Sequence, residues 1–272
     1  MSMKIGFLQL RPEFGAVAEN VRAAKSLLQD ISDAIVVLPE LFNTGYVFRS
    51  KDEVARLAEP VSGGQTVTEM KQLAKKRRLT LVFGMAEKKG KKYYNSAVMV
   101  TPKGKTYSYQ KAHLFDREKL FFNPGEKNFA VHTVDGVKIG MMVCFDWFFP
   151  EVARILALRG AQVICHPSNL VLPYCQSAMR TRSLENKVFS VTANRIGTEK
   201  RGNVSLTFTG NSQIVNPTGT ILVSAGERSE SLKIVDINLD EANDKSVTPN
   251  NDLFEDRKVS LYKPLVRRST RG

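Results

Sequence analysis

The chain has 272 residues, 42% of them hydrophobic, and a formal net charge of +13, enough length for one large core or two small ones. No uninterrupted apolar run approaches the ~20 residues of a membrane helix, and the opening Met1-Ser-Met-Lys-Ile-Gly-Phe-Leu-Gln-Leu10 lacks the length and cleavage site of a signal peptide. Three cysteines without framework spacing point to free thiols in a reducing, cytoplasmic compartment.

Elements follow in alternation. A strand is predicted over residues 4–10, a helix over 18–28, a strand over 34–38, a helix over 66–76, and strands over 80–85 and 96–100. The alternation resumes with a strand over 137–143, a helix from Pro150 through 158, a strand over 163–166, a helix over 176–186 and a strand over 189–193. Asn216-Pro-Thr-Gly219 reads as the turn of a hairpin, and 232–237 as a further strand. With no linker and no repeat, one α/β domain over 1–240 is expected, followed by an extended tail over 241–272 that packs on the body or on a partner subunit. Basic residues fall in short clusters at 71–78, 88–92 and 267–271. Without an RNA-binding aromatic motif or a recognition helix, these read as solvated faces and a basic tail, so neither a nucleic-acid partner nor a membrane is expected.

Chemistry concentrates in three segments, two of them at strand ends. Cys144 lies on the turn between the apolar run 137–143 and the helix opened by Pro150. A nucleophile on such a turn is presented beside backbone N–H groups at the carboxyl edge of a sheet. A buried Cys is also a common apolar filler, and both readings stand at this point. A thiol of pKa about 8.5 needs an activator, and none of His113, His132 and His166 is selected or excluded by spacing. Glu40 ends Ile35-Val-Val-Leu-Pro-Glu40, where apolar surroundings raise a carboxyl pKa toward neutrality. A helix cap or surface acid is its alternative reading. Lys111 lies in the aromatic segment Tyr109-Gln-Lys-Ala-His-Leu-Phe115. A fixed ammonium there favours a thiolate and an oxyanion, although a solvated lysine is the commoner case.

Together, Leu38-Pro-Glu-Leu-Phe42, Lys111-Ala-His-Leu-Phe115 and Cys144-Phe-Asp-Trp-Phe-Phe-Pro-Glu151 resemble the ordered Glu-Lys-Cys signature of the nitrilase, or carbon–nitrogen hydrolase, superfamily. Pro124-Gly125 and His166-Pro-Ser-Asn169 extend the resemblance to about residue 240, and the segment from Lys111 to Phe122 is similar to that of small archaeal and bacterial members. The resemblance implies a four-layer α-β-β-α sandwich, a homodimer or higher homo-oligomer, and no cofactor or metal. It implies Glu40 as general base, Lys111 as oxyanion stabiliser, Cys144 as nucleophile, Glu118 as a substrate-positioning carboxylate, and the Phe145 backbone N–H as an oxyanion donor. Tyr46, Trp147 and Asn169 are candidate pocket residues, with core packing and turn capping as their alternatives. Members acting on dicarboxylic monoamides commonly carry Arg near the position of Phe148, whereas Trp147-Phe148-Phe149 is wholly aromatic and disfavours a free carboxylate. An amidase acting on small aliphatic amides is therefore expected. A nitrilase, an N-carbamoyl amidohydrolase and a non-enzymatic, anion-binding scaffold are the alternatives. Gly84-Met-Ala-Glu-Lys-Lys-Gly-Lys91 has the wrong spacing for a phosphate loop and reads as a hairpin, and Cys165, His166 and Cys175 lack metal-ligand spacing.

Overall fold

The computed structural model describes residues 1–126 and 128–267. The elements in chain order are β1 (Ser2–Gln9), α1 (Val17–Leu27), β2 (Ala34–Val37), α2 (Lys51–Leu57), α3 (Gln65–Arg77), β3 (Thr80–Lys89), β4 (Lys92–Val100), β5 (Thr106–Gln110) and α4 (Glu118–Phe121). Then come β6 (Val131–Val134), β7 (Val137–Met141), α5 (Pro150–Leu158), β8 (Val163–Pro167), α6 (Cys175–Asn186), β9 (Phe189–Ala193), β10 (Ile196–Arg201), β11 (Val204–Thr209), β12 (Gln213–Val215), β13 (Ile221–Ser224) and β14 (Ser231–Asn238). Two six-stranded sheets result, in the orders β14-β1-β2-β3-β4-β5 and β13-β12-β9-β8-β7-β6. In each, three central strands run parallel (β1-β2-β3 and β7-β8-β9) and the flanking strands are antiparallel.

Period-two alternation decides which face meets what. Ile5, Phe7, Ile35, Val37 and Val82 point inward and join Ile139, Met141, Cys165 and Val191 of the second sheet in one core. The intervening Leu8, Val36, Leu38, Leu81 and Phe83 point outward and are covered by Val21 and Ala24 of α1 and Val67, Met70 and Leu73 of α3. On the far side α5 and α6 add Val152, Leu156, Cys175 and Met179 to the first core. The architecture is the expected α-β-β-α sandwich, built because both faces of each central sheet are apolar.

The structure adds elements that were not among those expected from the sequence. Helix α2 buries Val54 alone, and the β10–β11 hairpin pairs outside both sheets with an alternating, largely polar exposure. Strands β5 and β6 are short edge strands, and β7 stops at Met141, three residues before Cys144. The segment 84–91 is the β3–β4 hairpin, with Gly90 in the left-handed region at its tip. Beyond β14, residues Ser246–Thr248 and Asn251–Asp252 pair as a small hairpin, and the 3-10 segment Val259–Val266 buries no side chain. Of the basic cluster over 267–271, the part after Arg267 lies outside the described residues. Among those described, no helix is long and apolar enough to cross a membrane.

One close approach positions the site. The Gly84 N–H donates to the Pro39 carbonyl at 3.0 Å and the Gly84 carbonyl accepts from Phe42 N–H at 3.1 Å, lacing the segment around Glu40 onto β3. A Cβ at residue 84 would lie 2.4 Å from the Glu40 Cα and 2.6 Å from the Leu41 nitrogen. Backbone atoms cannot rotate away, so Gly84→Ala is expected to lower stability by about 1–3 kcal/mol through overpacking, read as a lower urea midpoint.

Candidate active site

Strand ends converge between the sheets. Glu40 follows β2, Lys111 directly follows β5, Cys144 follows β7 and Asn169 follows β8, all at carboxyl edges where α/β sheets bind ligands. Lys111 is anchored on both sides, its N–H donating to Asn95 O and its carbonyl accepting from Gly125 N–H, each at 2.8 Å.

Lys111 Nζ lies 2.7 Å from Glu40 Oε1 and 2.8 Å from Glu118 Oε1, with all three side chains buried. Asn95 Nδ2 donates to Glu40 Oε1 at 2.6 Å, while Glu40 Oε2 is buried and has no partner among the described residues. Glu118 is fully engaged. Its Oε1 also accepts from the Tyr46 hydroxyl at 2.7 Å, and its Oε2 from Phe115 N–H at 3.2 Å. Burial would lower the pKa of Lys111, but Glu118, Glu40 and Cys144 outweigh it and hold the ammonium charged above its ordinary range. Burial raises the carboxyl pKa of Glu118; Lys111 opposes the shift and Glu40 adds to it. The Cys144 thiol is pushed well up by burial and then by Glu40. Lys111 acts against that, Glu118 adds to it, and the Asn169 backbone N–H opposes it. The resting cysteine is thus a thiol beside a carboxylate, and attack by sulfur requires a base at the moment of reaction.

Cys144 has φ of +40°, a conformation unfavourable for a side chain with a Cβ, so its surroundings must enforce it. It opens a 3-10 turn, Cys144–Phe148. The Cys144 carbonyl accepts from His166 Nε2 at 2.9 Å, and His166 Nδ1 lies 3.1 Å from the Thr192 hydroxyl. Burial lowers the His166 pKa to about 4, so the ring is neutral, with its proton on Nε2 because a carbonyl only accepts. Asp146 supplies the second restraint. Its Oδ2 accepts from Val143 N–H and from the Tyr109 hydroxyl, both at 2.9 Å. Its Oδ1 accepts from His113 Nδ1 at 2.8 Å and His113 N–H at 3.2 Å. The Tyr109 hydroxyl in turn accepts from Ala112 N–H at 3.1 Å. One buried carboxylate thereby ties the residues on both sides of Lys111 to the residue before Cys144.

Of the residues singled out in the sequence, Glu40, Lys111, Glu118 and Tyr46 form one hydrogen-bonded cluster. Phe145, Trp147 and Asn169 border a cavity of about 20 Å³ with Cys144. Tyr46 does not reach that cavity and borders a neighbouring one of about 60 Å³. Asn169 has a second task, its Nδ2 donating to the Glu40 carbonyl at 2.8 Å. Glu40 caps no helix and is fully buried, so the surface-acid reading fails. Asn95, Asp146 and His166 were not selected from the sequence as site residues, and neither was Glu199, which accepts from Val47 N–H at 2.6 Å and pairs with Arg195 at 2.7 Å. Asp146 and His166 had a signal, their places in the quoted Cys144 segment and in His166-Pro-Ser-Asn169; Asn95 and Glu199 had none.

Asp146→Asn keeps the volume but replaces one acceptor with an amide donor, leaving Val143 N–H or His113 N–H facing a second donor. A buried unsatisfied group costs about 1–3 kcal/mol, so a loss of stability in that range is expected from urea unfolding, with turnover falling alongside it.

The sequence model of the carbon–nitrogen hydrolase family matches residues 4–245. The chain is 44% identical over 263 residues to a protein named nitrilase from Pyrococcus abyssi, covering 96% of this chain and 99% of that one. It is 34% identical over 264 residues to an (R)-stereoselective amidase of a Pseudomonas species, with 95% and 93% covered. The crystal structure of a carbon-nitrogen hydrolase from Helicobacter pylori superposes with a TM-score of 0.89 at 27% identity, covering 98% of this chain and 99% of that one. With the sandwich fold and the match along nearly its whole length, the chain belongs to the carbon–nitrogen hydrolase family of the nitrilase superfamily and is a hydrolase of carbon–nitrogen bonds.

Proposed function

We propose that the protein is a cysteine-dependent amidase converting small, uncharged aliphatic amides to carboxylate and ammonia. The observation that carries this reading is the free, buried Oε2 of Glu40, on a carboxylate whose other oxygen is held by Lys111 and Asn95 and whose field acts on Cys144. Glu40 takes the Cys144 proton as the Sγ–C bond forms. Lys111 and the Phe145 backbone N–H receive the negative oxygen of the tetrahedral intermediate. The C–N bond then breaks, Glu40 returns its proton to the departing ammonia, and a thioester remains. Water, deprotonated by Glu40, attacks the thioester and releases the acid and the thiol. Glu118, which is bonded to Lys111 and Tyr46, orients the amide.

The substrate class rests on the walls. Phe115, Phe145 and Trp147 surround the sulfur cavity, and Lys111, the cation of the cluster, is already bound by two carboxylates, so a substrate carboxylate would lack a counter-charge there. A nitrilase is the second reading, favoured by the name of the 44% identical relative from Pyrococcus abyssi. A nitrile accepts the same attack and gives a thioimidate hydrolysed along the same route. A reducing, cytoplasmic setting fits three free, buried cysteines. Self-association is supported by exposed Leu158 and Leu184 on α5 and α6, and by Leu261, Leu265 and Val266 in the tail.

Ammonia release should be measured from amide, nitrile and N-carbamoyl compounds of one carbon skeleton, with Cys144→Ala as the blank. Turnover of amides, absent in the variant, is the expected result, while preference for nitriles selects the second reading. Full ammonia release by Cys144→Ala would sink both. The electrostatics give a separate prediction. Because the negative charge of Glu40 raises the Cys144 pKa, Glu40→Gln lowers it and enlarges the thiolate fraction at a given pH. The pH profile of Cys144 alkylation by iodoacetamide therefore shifts to lower pH in Glu40→Gln, even as turnover collapses.

A further inference from the structure

Two small cavities lie side by side at the site, and Phe115 is the single described residue that borders both. The first, of about 20 Å³, has Cys144 in its wall together with Phe145, Trp147 and Leu170. The second, of about 60 Å³, is walled by Tyr46, Phe48, Phe121 and Glu118, and by Val204 and Leu206 from β11. The cavity at the sulfur is little larger than the ~10–15 Å³ that one water requires. A reacting carboxamide fits there only with a very short chain. The neighbouring cavity suits an uncharged chain. Both oxygens of Glu118 are already bonded, and most of the remaining wall is aromatic or aliphatic, with Asp116 and Arg117 exposed at its edge.

Phe115 is held as a partition. Its N–H is bonded to Glu118 Oε2, and its ring meets Phe145 edge-on at 5.1 Å between centroids. Its neighbour Asp116 has φ of +43°, which places a sharp bend directly after it. We infer that Phe115 sets the acyl-chain length of the substrate: its ring closes the Cys144 cavity from an apolar chamber completed by the β10–β11 hairpin, and that chamber accepts the longer chain once the ring is removed. The inference rests on the reading of the site as an amidase. Because the hydrogen bond to Glu118 comes from the backbone of Phe115, trimming the side chain changes the partition and leaves that bond available. Leu206 borders the second cavity and not the first, so enlarging it must cancel the effect of removing the Phe115 ring.

The test is kcat/KM for straight-chain amides from acetamide to hexanamide in the wild type, Phe115→Leu, Phe115→Ala, and Phe115→Ala combined with Leu206→Trp. One methylene in an apolar pocket changes kcat/KM by about 10-fold or more. The hexanamide-to-acetamide ratio should therefore rise at least about 10-fold in Phe115→Ala, rise less in Phe115→Leu, and fall back when Leu206→Trp is added. An unchanged ratio, or a uniform loss across the series, overturns the inference while leaving the amidase reading intact. Absence of turnover by the wild type on every amide overturns the amidase reading instead. The inference is then decided by protection of Cys144 from iodoacetamide with straight-chain aldehydes of two to six carbons. There the thiol adds across the C=O, forming the Sγ–C bond and passing its proton to the new hydroxyl without a leaving group. Stronger protection by the longer aldehydes in Phe115→Ala than in the wild type upholds the partition, and identical selectivity in both overturns it.

Discussion

An ammonium removed from water is stable only where carboxylates and hydrogen bonds replace its hydration, and the interior here is organised around meeting that condition for Lys111. Its charge lies between Glu40 and Glu118 with no exposed surface. The surrounding bonds all serve the same geometry: Asn95 and Asn169 fix Glu40, and Tyr46 and Phe115 fix Glu118. Two carboxylates against one ammonium leave the cluster net negative when all are ionised. This excess disfavours a standing thiolate at Cys144, which is why the proposed mechanism needs a base. Removing Lys111 would leave two buried carboxylates facing each other, a larger disturbance than the loss of one hydrogen bond.

The second constraint is mechanical. A cysteine held at positive φ relaxes unless both its flanks are fixed. His166 fixes the carbonyl on one side, and Asp146 fixes the amide of Val143 on the other. Because Asp146 also holds Tyr109 and His113, the strand ends bearing Lys111 and Cys144 cannot drift independently. The relative placement of cation and sulfur is therefore a property of one buried side chain as much as of the two sheets.

The layered fold was legible in the sequence because each central strand is apolar on both faces and each covering helix repeats with a helical period. Glu40 and Cys144 stood out because each follows such a strand, Lys111 because of its aromatic company, and all three because their segments resemble a known family in order. Glu118 and Tyr46 came from that resemblance and from the motif flanks, and the structure bonds Glu118 to the Lys111 ammonium and Tyr46 to Glu118. Asn95 and Glu199 were not legible, and of His166 only its place in a matching motif was, not its bond to the Cys144 carbonyl. Their partners lie tens to more than a hundred residues away, and a polar residue in a strand carries no mark of which distant atom it will meet. The β10–β11 hairpin escaped for a different reason. It pairs with itself outside both sheets and β10 is mostly polar, although Val204, Leu206 and Phe208 of β11 alternate with Ser205, Thr207 and Thr209 as a half-buried strand does.

Lys245 gives the far end of the chain a structural meaning. Its ammonium donates to the carbonyls of Asn186, Lys187 and Ala242 at 2.7–3.1 Å, at the end of α6 where the helix leaves carbonyls unpaired and its dipole is negative. Nearby, Phe254 packs against the core and lies under both Lys245 and Arg154. A boundary drawn at residue 240 would strip this cap from one of the two helices covering the second sheet. Contacts between the far end of the chain and the body thus continue at least to Phe254.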